Sequence, residues 1–169
     1  VVAGGYSLLP MMKLRLAFPG ALVDINDVPD LAGVRVEGHE LVVGAMTRHR
    51  DILASGVLSE HYPIFREAER VIADPIVRTR GTIGGSISNN DPAADYPSAM
   101  LALNATIHTD KREIPADKFF KGLFETSLKE GEIVTAVSFT APAKAGYAKF
   151  PNPASRYAMT GVFVAKDKD

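Results

Sequence analysis

Ala3-Gly4-Gly5-Tyr6-Ser7 and Thr82-Ile83-Gly84-Gly85-Ser86 are two glycine pairs in the same setting: each follows an apolar or β-favouring stretch and ends on a hydroxyl residue. A Gly-Gly step lets the backbone turn with φ > 0 and leaves no Cβ to hold a ligand away from the amides. Successive N–H groups exposed in this way form an anion-binding concavity. Each pair by itself reads more readily as a plain tight turn. Together, with Ser7 and Ser86 in matching places, they predict two loops that grip a diphosphate from both sides, as a dinucleotide requires. Neither pair is followed by the Gly-Lys-Ser/Thr of a P-loop, and neither forms a G-x-G-x-x-G fingerprint. A P-loop ATP site or a Rossmann NAD site therefore lacks its signature.

The chain has 169 residues, which suits one domain or two small lobes. With 46% hydrophobic and 23% charged residues it has enough apolar surface for a core. A net charge of −1 and dispersed basic residues argue against nucleic acid or an acidic membrane as partner. The absence of cysteine removes disulfides, thiolate metal sites, iron–sulfur ligation and cysteine nucleophiles from this chain. His39, His49, His61 and His108 have no i,i+4 spacing, so no metal site is expected. No apolar run reaches the roughly 18 residues of a membrane span, and no signal peptide is visible. Cytoplasmic residence is the expectation, with the inner face of the cytoplasmic membrane as a variant of it. The chain opens on the first glycine pair without Met and ends on Lys166-Asp167-Lys168-Asp169 after an apolar run, which reads as a piece of a larger polypeptide.

Along the chain, Val1-Val2-Ala3 predicts a buried strand end, Pro10 a helix start with Met11, Met12, Leu14 and Leu16 as its apolar surface, and Ala21–Ile25 a short strand. Val34–Val36 and Leu41–Val43 flank a turn at residues 37–40 and predict a hairpin. Thr47 is placed to cap a helix from about Arg48 to Ala54. Ile64, Phe65, Ala68, Val71 and Ile72 form one stripe of a helix over Pro63–Ala73. Further expectations are a buried helix at Pro97–Leu103, a strand at Ala105–Thr109, an anchoring segment around Phe119, Phe120, Leu123 and Phe124, and strands at Ile133–Phe139, Tyr147–Phe150 and Tyr157–Ala165. After the second glycine pair, Asp91 reads as a turn residue. Asp95 reads equally as a helix cap or as an acceptor for sugar or ribityl hydroxyls.

Three segments carry a family resemblance: Ala3 to Arg15, Arg80 to Ser86 with Asp91 to Pro97, and Pro153 to Ala158. They closely resemble the medium, FAD-binding subunit of the molybdenum hydroxylases, nearest the aerobic carbon monoxide dehydrogenase branch, with xanthine dehydrogenase more distant. The resemblance implies an α+β, two-lobed FAD-binding fold of the PCMH (vanillyl-alcohol oxidase-like) type with a truncated third segment. Its divisions fall at 1–46, 47–145 and 146–169, and the family chain extends further at both ends.

By the same resemblance the FAD pyrophosphate is held by amides of Ala3, Gly4, Gly5, Tyr6, Ser7 and Leu8 and of Thr82, Ile83, Gly84, Gly85 and Ser86. Asp95 bonds the ribityl or ribose region. Ile72 and Val134 lie against the cofactor, Lys149 lies near the flavin, and Tyr157 covers the isoalloxazine face. Without the resemblance, Ile72 and Val134 are core residues, Lys149 a solvated charge and Tyr157 a strand aromatic. Tyr6 stands where covalent flavoproteins of the wider fold carry His, so the FAD is expected to be non-covalent. The implied role is electron transfer, from iron–sulfur clusters through FAD to an acceptor such as quinone or NAD, with no catalytic acid or base in this chain. The clusters belong to an iron–sulfur small subunit and the substrate chemistry to a molybdopterin large subunit. A stand-alone flavin oxidoreductase of the same fold is the alternative, and a scaffold that has lost the cofactor a third reading that the intact glycine pairs oppose.

Overall fold

The computed structural model describes residues 1–167. Its centre is a five-stranded antiparallel sheet in the order β1-β2-β7-β3-β4. Strands β1 (Val34–Glu37) and β2 (Glu40–Gly44) form the expected hairpin, closed at Gly38 with φ +62°, where a residue with a Cβ is disfavoured. Strand β7 (Val134–Thr140) pairs with β2 through Leu41↔Phe139 and Val43↔Val137. On its other side β7 meets β3 (Thr106–Thr109), where Ile107 opposes Val137, and β4 (Glu113–Pro115) closes that edge. The period-2 alternation thus puts Leu41, Val43, Ile107, Ile114, Val137 and Phe139 into one core cluster. β1 and β2 precede residue 46 yet pair into the sheet formed by the residues after it.

Helices α2 (His49–Ala54), α3 (Gly56–His61), α4 (Pro63–Arg70), α5 (Pro75–Arg80), α6 (Ile83–Asn89), α7 (Tyr96–Ala102) and α8 (Ala116–Phe119) supply the rest of the core. Ile52, Leu58, Phe65, Ile83, Ile87, Met100 and Phe119 are fully buried in it. Phe65 stands 5.4 Å from both the Phe139 and the Tyr96 rings, which locks α4 between the sheet and α7. Strands β5 (Phe120–Gly122) and β6 (Glu125–Thr126) make a small ribbon, and β8 (Lys144–Pro151) and β9 (Ala158–Lys166) a longer one. Phe163 anchors the longer ribbon to the core. No helix among the described residues is long and apolar enough to cross a membrane.

Several local expectations give way to tertiary partners. Val1 is exposed, and the two strands expected at residues 1–3 and 21–25 reduce to a single parallel bridge between Val2 and Asp24. Helix α1 (Leu8–Lys13) begins before Pro10 and buries no residue. Thr47 does not cap α2, whose N-cap position is Arg48; its Oγ1 accepts from Gly33 N at 2.8 Å and donates to Gly33 O at 3.0 Å. The helix from Pro63 stops at Arg70, and α5 arises in the stretch beyond it, capped by Asp74 Oδ1 accepting from Val77 N at 2.9 Å with Pro75 in the first turn. Asp95 occupies the N-cap position of α7 but its side chain makes no cap bond. Phe119 is the anchor expected of its segment, whereas Leu123 and Phe124 are exposed.

Candidate functional site

A cavity of about 630 Å³ lies among the N-terminal segment, the start of α6, the end of α4 and the β8–β9 ribbon. That volume falls in the range of roughly 300–1,000 Å³ typical of small-molecule sites. Ala3, Gly4, Gly5, Tyr6, Ser7, Leu8, Ile72, Thr82, Gly84, Gly85, Ser86, Asp95, Val134, Lys149 and Tyr157 all border it. Ile83, the remaining residue expected there, does not; it is fully buried in the core.

The two glycine segments differ in kind. The first is a true loop. Gly5 sits at φ +74°, where a Cβ would be strained, and the amides of residues 3 to 8 donate to no acceptor among the described residues. A Cβ on Gly4 would fall 2.1 Å from the Arg80 carbonyl oxygen, so this glycine lets the loop settle on the end of α5. The second segment is the first turn of α6 rather than a bend. Thr82 is its N-cap, with Oγ1 accepting from Gly85 N at 3.1 Å. Three further amides are also in use: Ile83 N donates to Thr47 O, Gly84 N to Ala45 O and Ser86 N to Thr82 O, while Thr82 N has no acceptor among the described residues. The run of free amides therefore belongs to the first glycine segment, the second leaving only that of Thr82, and the expectation of matching amide sets is corrected. Gly84 serves packing instead, because a Cβ there would lie 2.6 Å from Ala45 Cβ.

The polar end of the cavity is an internal network. Lys149 is a buried cation, not a solvated one: its Nζ donates to Asp95 Oδ2 at 3.0 Å and to Val71 O at 2.8 Å. Tyr147 donates to Asp95 Oδ1. Burial, and then this bond to a carboxylate, raises the Tyr147 pKa well above that of a free phenol. Tyr157 is likewise raised, by burial first and by the charges of Asp91 and Asp95 after it. On the far wall Arg112 bonds Glu132 through Nε at 2.8 Å and a terminal nitrogen at 3.0 Å. That Arg112 bond, followed by the Lys129 amide, holds the Glu132 pKa down at about 2. Ile72 and Val134, 8% and 6% exposed, supply apolar wall.

Sequence reasoning missed a second buried cluster. His49 and Tyr96 border the cavity and stack at 5.4 Å, and both address the fully buried Glu69: His49 Nδ1 lies 3.2 Å from Oε1, and Tyr96 donates to the same oxygen. His49 and Glu69 are 20 residues apart on different helices, so no spacing rule links them. The one signal available was compositional: a Glu in the middle of an otherwise apolar helix face.

Residues 1–142 match the protein family described as the FAD binding domain in molybdopterin dehydrogenase. The chain belongs to this family. It is 41% identical over 175 residues to the carbon monoxide dehydrogenase medium chain of Hydrogenophaga pseudoflava, covering 99% of this chain and 61% of that protein. It is 41% identical to the glyceraldehyde dehydrogenase medium chain of Sulfolobus acidocaldarius, covering 97% of this chain and 60% of that one. The solved carbon monoxide dehydrogenase from Hydrogenophaga pseudoflava, in a form lacking the Mo-pyranopterin moiety, superposes with a TM-score of 0.90 at 42% identity, over 95% of this chain and 58% of that chain. The chain thus spans about three-fifths of the length of these relatives.

The cofactor of this FAD domain fits the residues present. A diphosphate needs converging donors, and residues 3 to 8 offer unused amides at the cavity wall. Aromatic rings need apolar cover, which Ile72 and Val134 provide, and sugar hydroxyls need acceptors and donors, which Asp95 and Ser86 provide.

Proposed function

We propose that this chain is the FAD-holding part of the electron-transfer subunit of a molybdenum-containing hydroxylase or dehydrogenase. Its residues would hold an FAD that would supply the link between iron–sulfur clusters on a small subunit and an acceptor such as quinone or NAD, with a molybdopterin large subunit as the partner that oxidises the substrate. The single observation that carries the reading is the run of unpartnered amides at residues 3 to 8 beside a dinucleotide-sized cavity. Medium chains of several dehydrogenases among the relatives support it, as does the absence of any cysteine that could hold a cluster in this chain.

FAD, when bound, supplies the step between one-electron donors and a two-electron acceptor. The chain's own residues bind and orient. Ala3 to Leu8 give main-chain donors to the pyrophosphate, each bond to a charged oxygen contributing roughly 1.5–3 kcal/mol. The hydroxyls of Thr82 and Ser86 face it from the first turn of α6, where Gly84 and Gly85 keep the wall thin and Ile83 anchors the helix from behind. Asp95, already fixed by Lys149 and Tyr147, keeps lone pairs for ribityl or ribose hydroxyls. Lys149 would set the charge near the flavin, and Tyr157 would cover its ring and exclude water. Tyr6 stands where covalent flavoproteins of the wider fold carry His, and the FAD is non-covalent in this reading. The assembly follows a two-lobed PCMH-type plan in the cytoplasm, with strands β1 and β2 built into the sheet of the second lobe.

Purified full-length protein should show the two visible absorption bands of oxidised flavin and release FAD, not FMN, on denaturation, at one per chain. A folded protein that stays colourless after incubation with excess FAD refutes the reading.

A further inference from the structure

His49 borders the cavity without a part in the assignment above. It is 4% exposed, and its ring is fixed on three sides. Tyr96 stacks on one face. Gly81 presses on the edge so closely that a Cβ there would meet His49 Cδ2 at 2.8 Å and Nε2 at 3.1 Å. Glu69 Oε1 faces Nδ1. That oxygen already accepts the Tyr96 hydroxyl, so it meets the imidazole best as the acceptor of Nδ1–H, which sets the tautomer. Nε2 is left with no hydrogen-bond partner among the described residues.

The neighbours of that nitrogen are informative. Gly81 lies between His49 and the first glycine loop: a Cβ on Gly4 would come 3.0 Å from Gly81 Cα. The loop that carries the free amides and the free imidazole nitrogen therefore flank the same short stretch of chain. The helices packed against α2 carry Arg66, Glu67, Glu69 and Arg70 on α4 and Arg78 and Arg80 on α5, of which Glu69 faces His49, and Tyr96 of α7 stacks on the ring. Arg78 is spent on Ile72 O at 2.7 Å, and Lys149 on Asp95. A diphosphate brings negative charge that neutral amides stabilise but do not cancel.

We propose that His49 is an additional binding residue for the ligand's diphosphate, held by Glu69 so that a protonated Nε2 donates to a phosphate oxygen. Phosphate oxygens only accept, so the contact requires the imidazolium, and the buried Glu69 carboxylate is its counter-charge. This rests on the FAD reading of the cavity. Glu69 Oε2 has no hydrogen-bond partner among the described residues, so the carboxylate is not a closed hydrogen-bonding group.

The test uses the full-length apoprotein with ADP and FAD as probes. Nitrogen NMR of the His49 ring should move Nε2 from the bare to the protonated range as ADP saturates the protein. By calorimetry, His49→Gln and Glu69→Gln should each weaken FAD binding roughly ten- to hundredfold, the loss of one charge-assisted hydrogen bond. Nε2 remaining bare at saturation, or His49→Gln binding FAD within about twofold of wild type, overturns the inference while leaving the FAD reading intact. Wild-type protein that binds neither probe overturns the FAD reading and this inference with it.

Discussion

At the residue scale, the polar groups around the cavity are held by one another before any ligand arrives. Lys149 and Asp95 have side chains 3% and 8% exposed, and among the described residues each is the other's only charged partner. Removing one leaves a buried charge without compensation, so Lys149→Met should destabilise the protein by about 3–5 kcal/mol in denaturant titrations. Adding Asp95→Asn to Lys149→Met should recover much of that loss, because no uncompensated charge then remains. Lys149 reads as a solvated charge from its strand neighbours and Asp95 as a cap or a sugar acceptor. Neither local reading contains the ion pair, since the partners stand 54 residues apart and meet only when folding brings β8 to the N-terminal end of α7.

At the element scale, the two adjacent glycines at the start of α6 have different jobs. Gly84 rests on Ala45, with a Cβ falling 2.6 Å from its side chain and 2.8 Å from its carbonyl oxygen, so Gly84→Ala should cost about 1–3 kcal/mol by overpacking. Gly85 is exposed, and a Cβ there meets only Thr82 Oγ1, so Gly85→Ala should leave the thermal midpoint nearly unchanged. Thr82→Ala removes the N-cap bond to Gly85 and should cost about 1 kcal/mol. Asp74→Ala should do the same to α5. Differential scanning calorimetry of the four variants separates packing from capping. The hairpin β1–β2, the strands β3, β7, β8 and β9 and helices α4 and α7 were legible from their apolar and β-favouring stretches, and β2, β3, β7, α4 and α7 bury residues in the core, whereas β9 buries only Phe163 and β8 none. Helix α5 was not: six residues between Asp74 and Gly81 show caps but too short a stripe to distinguish from a loop.

For the whole molecule, acid stability has an identifiable contributor. Arg112 and Glu132 tie the turn after β3 to the loop before β7, and the Glu132 pKa is about 2 in the fold against an ordinary 4.5. A carboxylate whose pKa falls on folding stabilises the fold above its unfolded value and loses that contribution as pH drops through its folded value. Urea titrations should therefore find Glu132→Gln least stable relative to wild type near neutral pH, with the difference shrinking from about pH 4.5 toward pH 2. A difference independent of pH shows that the pair acts through shape rather than charge. The sequence alone determined the apolar alternation that builds the sheet, the helical stripe of α4, and the two glycine pairs that must sit against other backbone. Only the tertiary structure decided which amides were left over: Ala45 O and Thr47 O consume two in the first turn of α6, while among the described residues nothing consumes those of residues 3 to 8. Periodicity reports how an element buries its own face, whereas a polar group's freedom depends on whichever distant segment arrives beside it, and that is settled by packing.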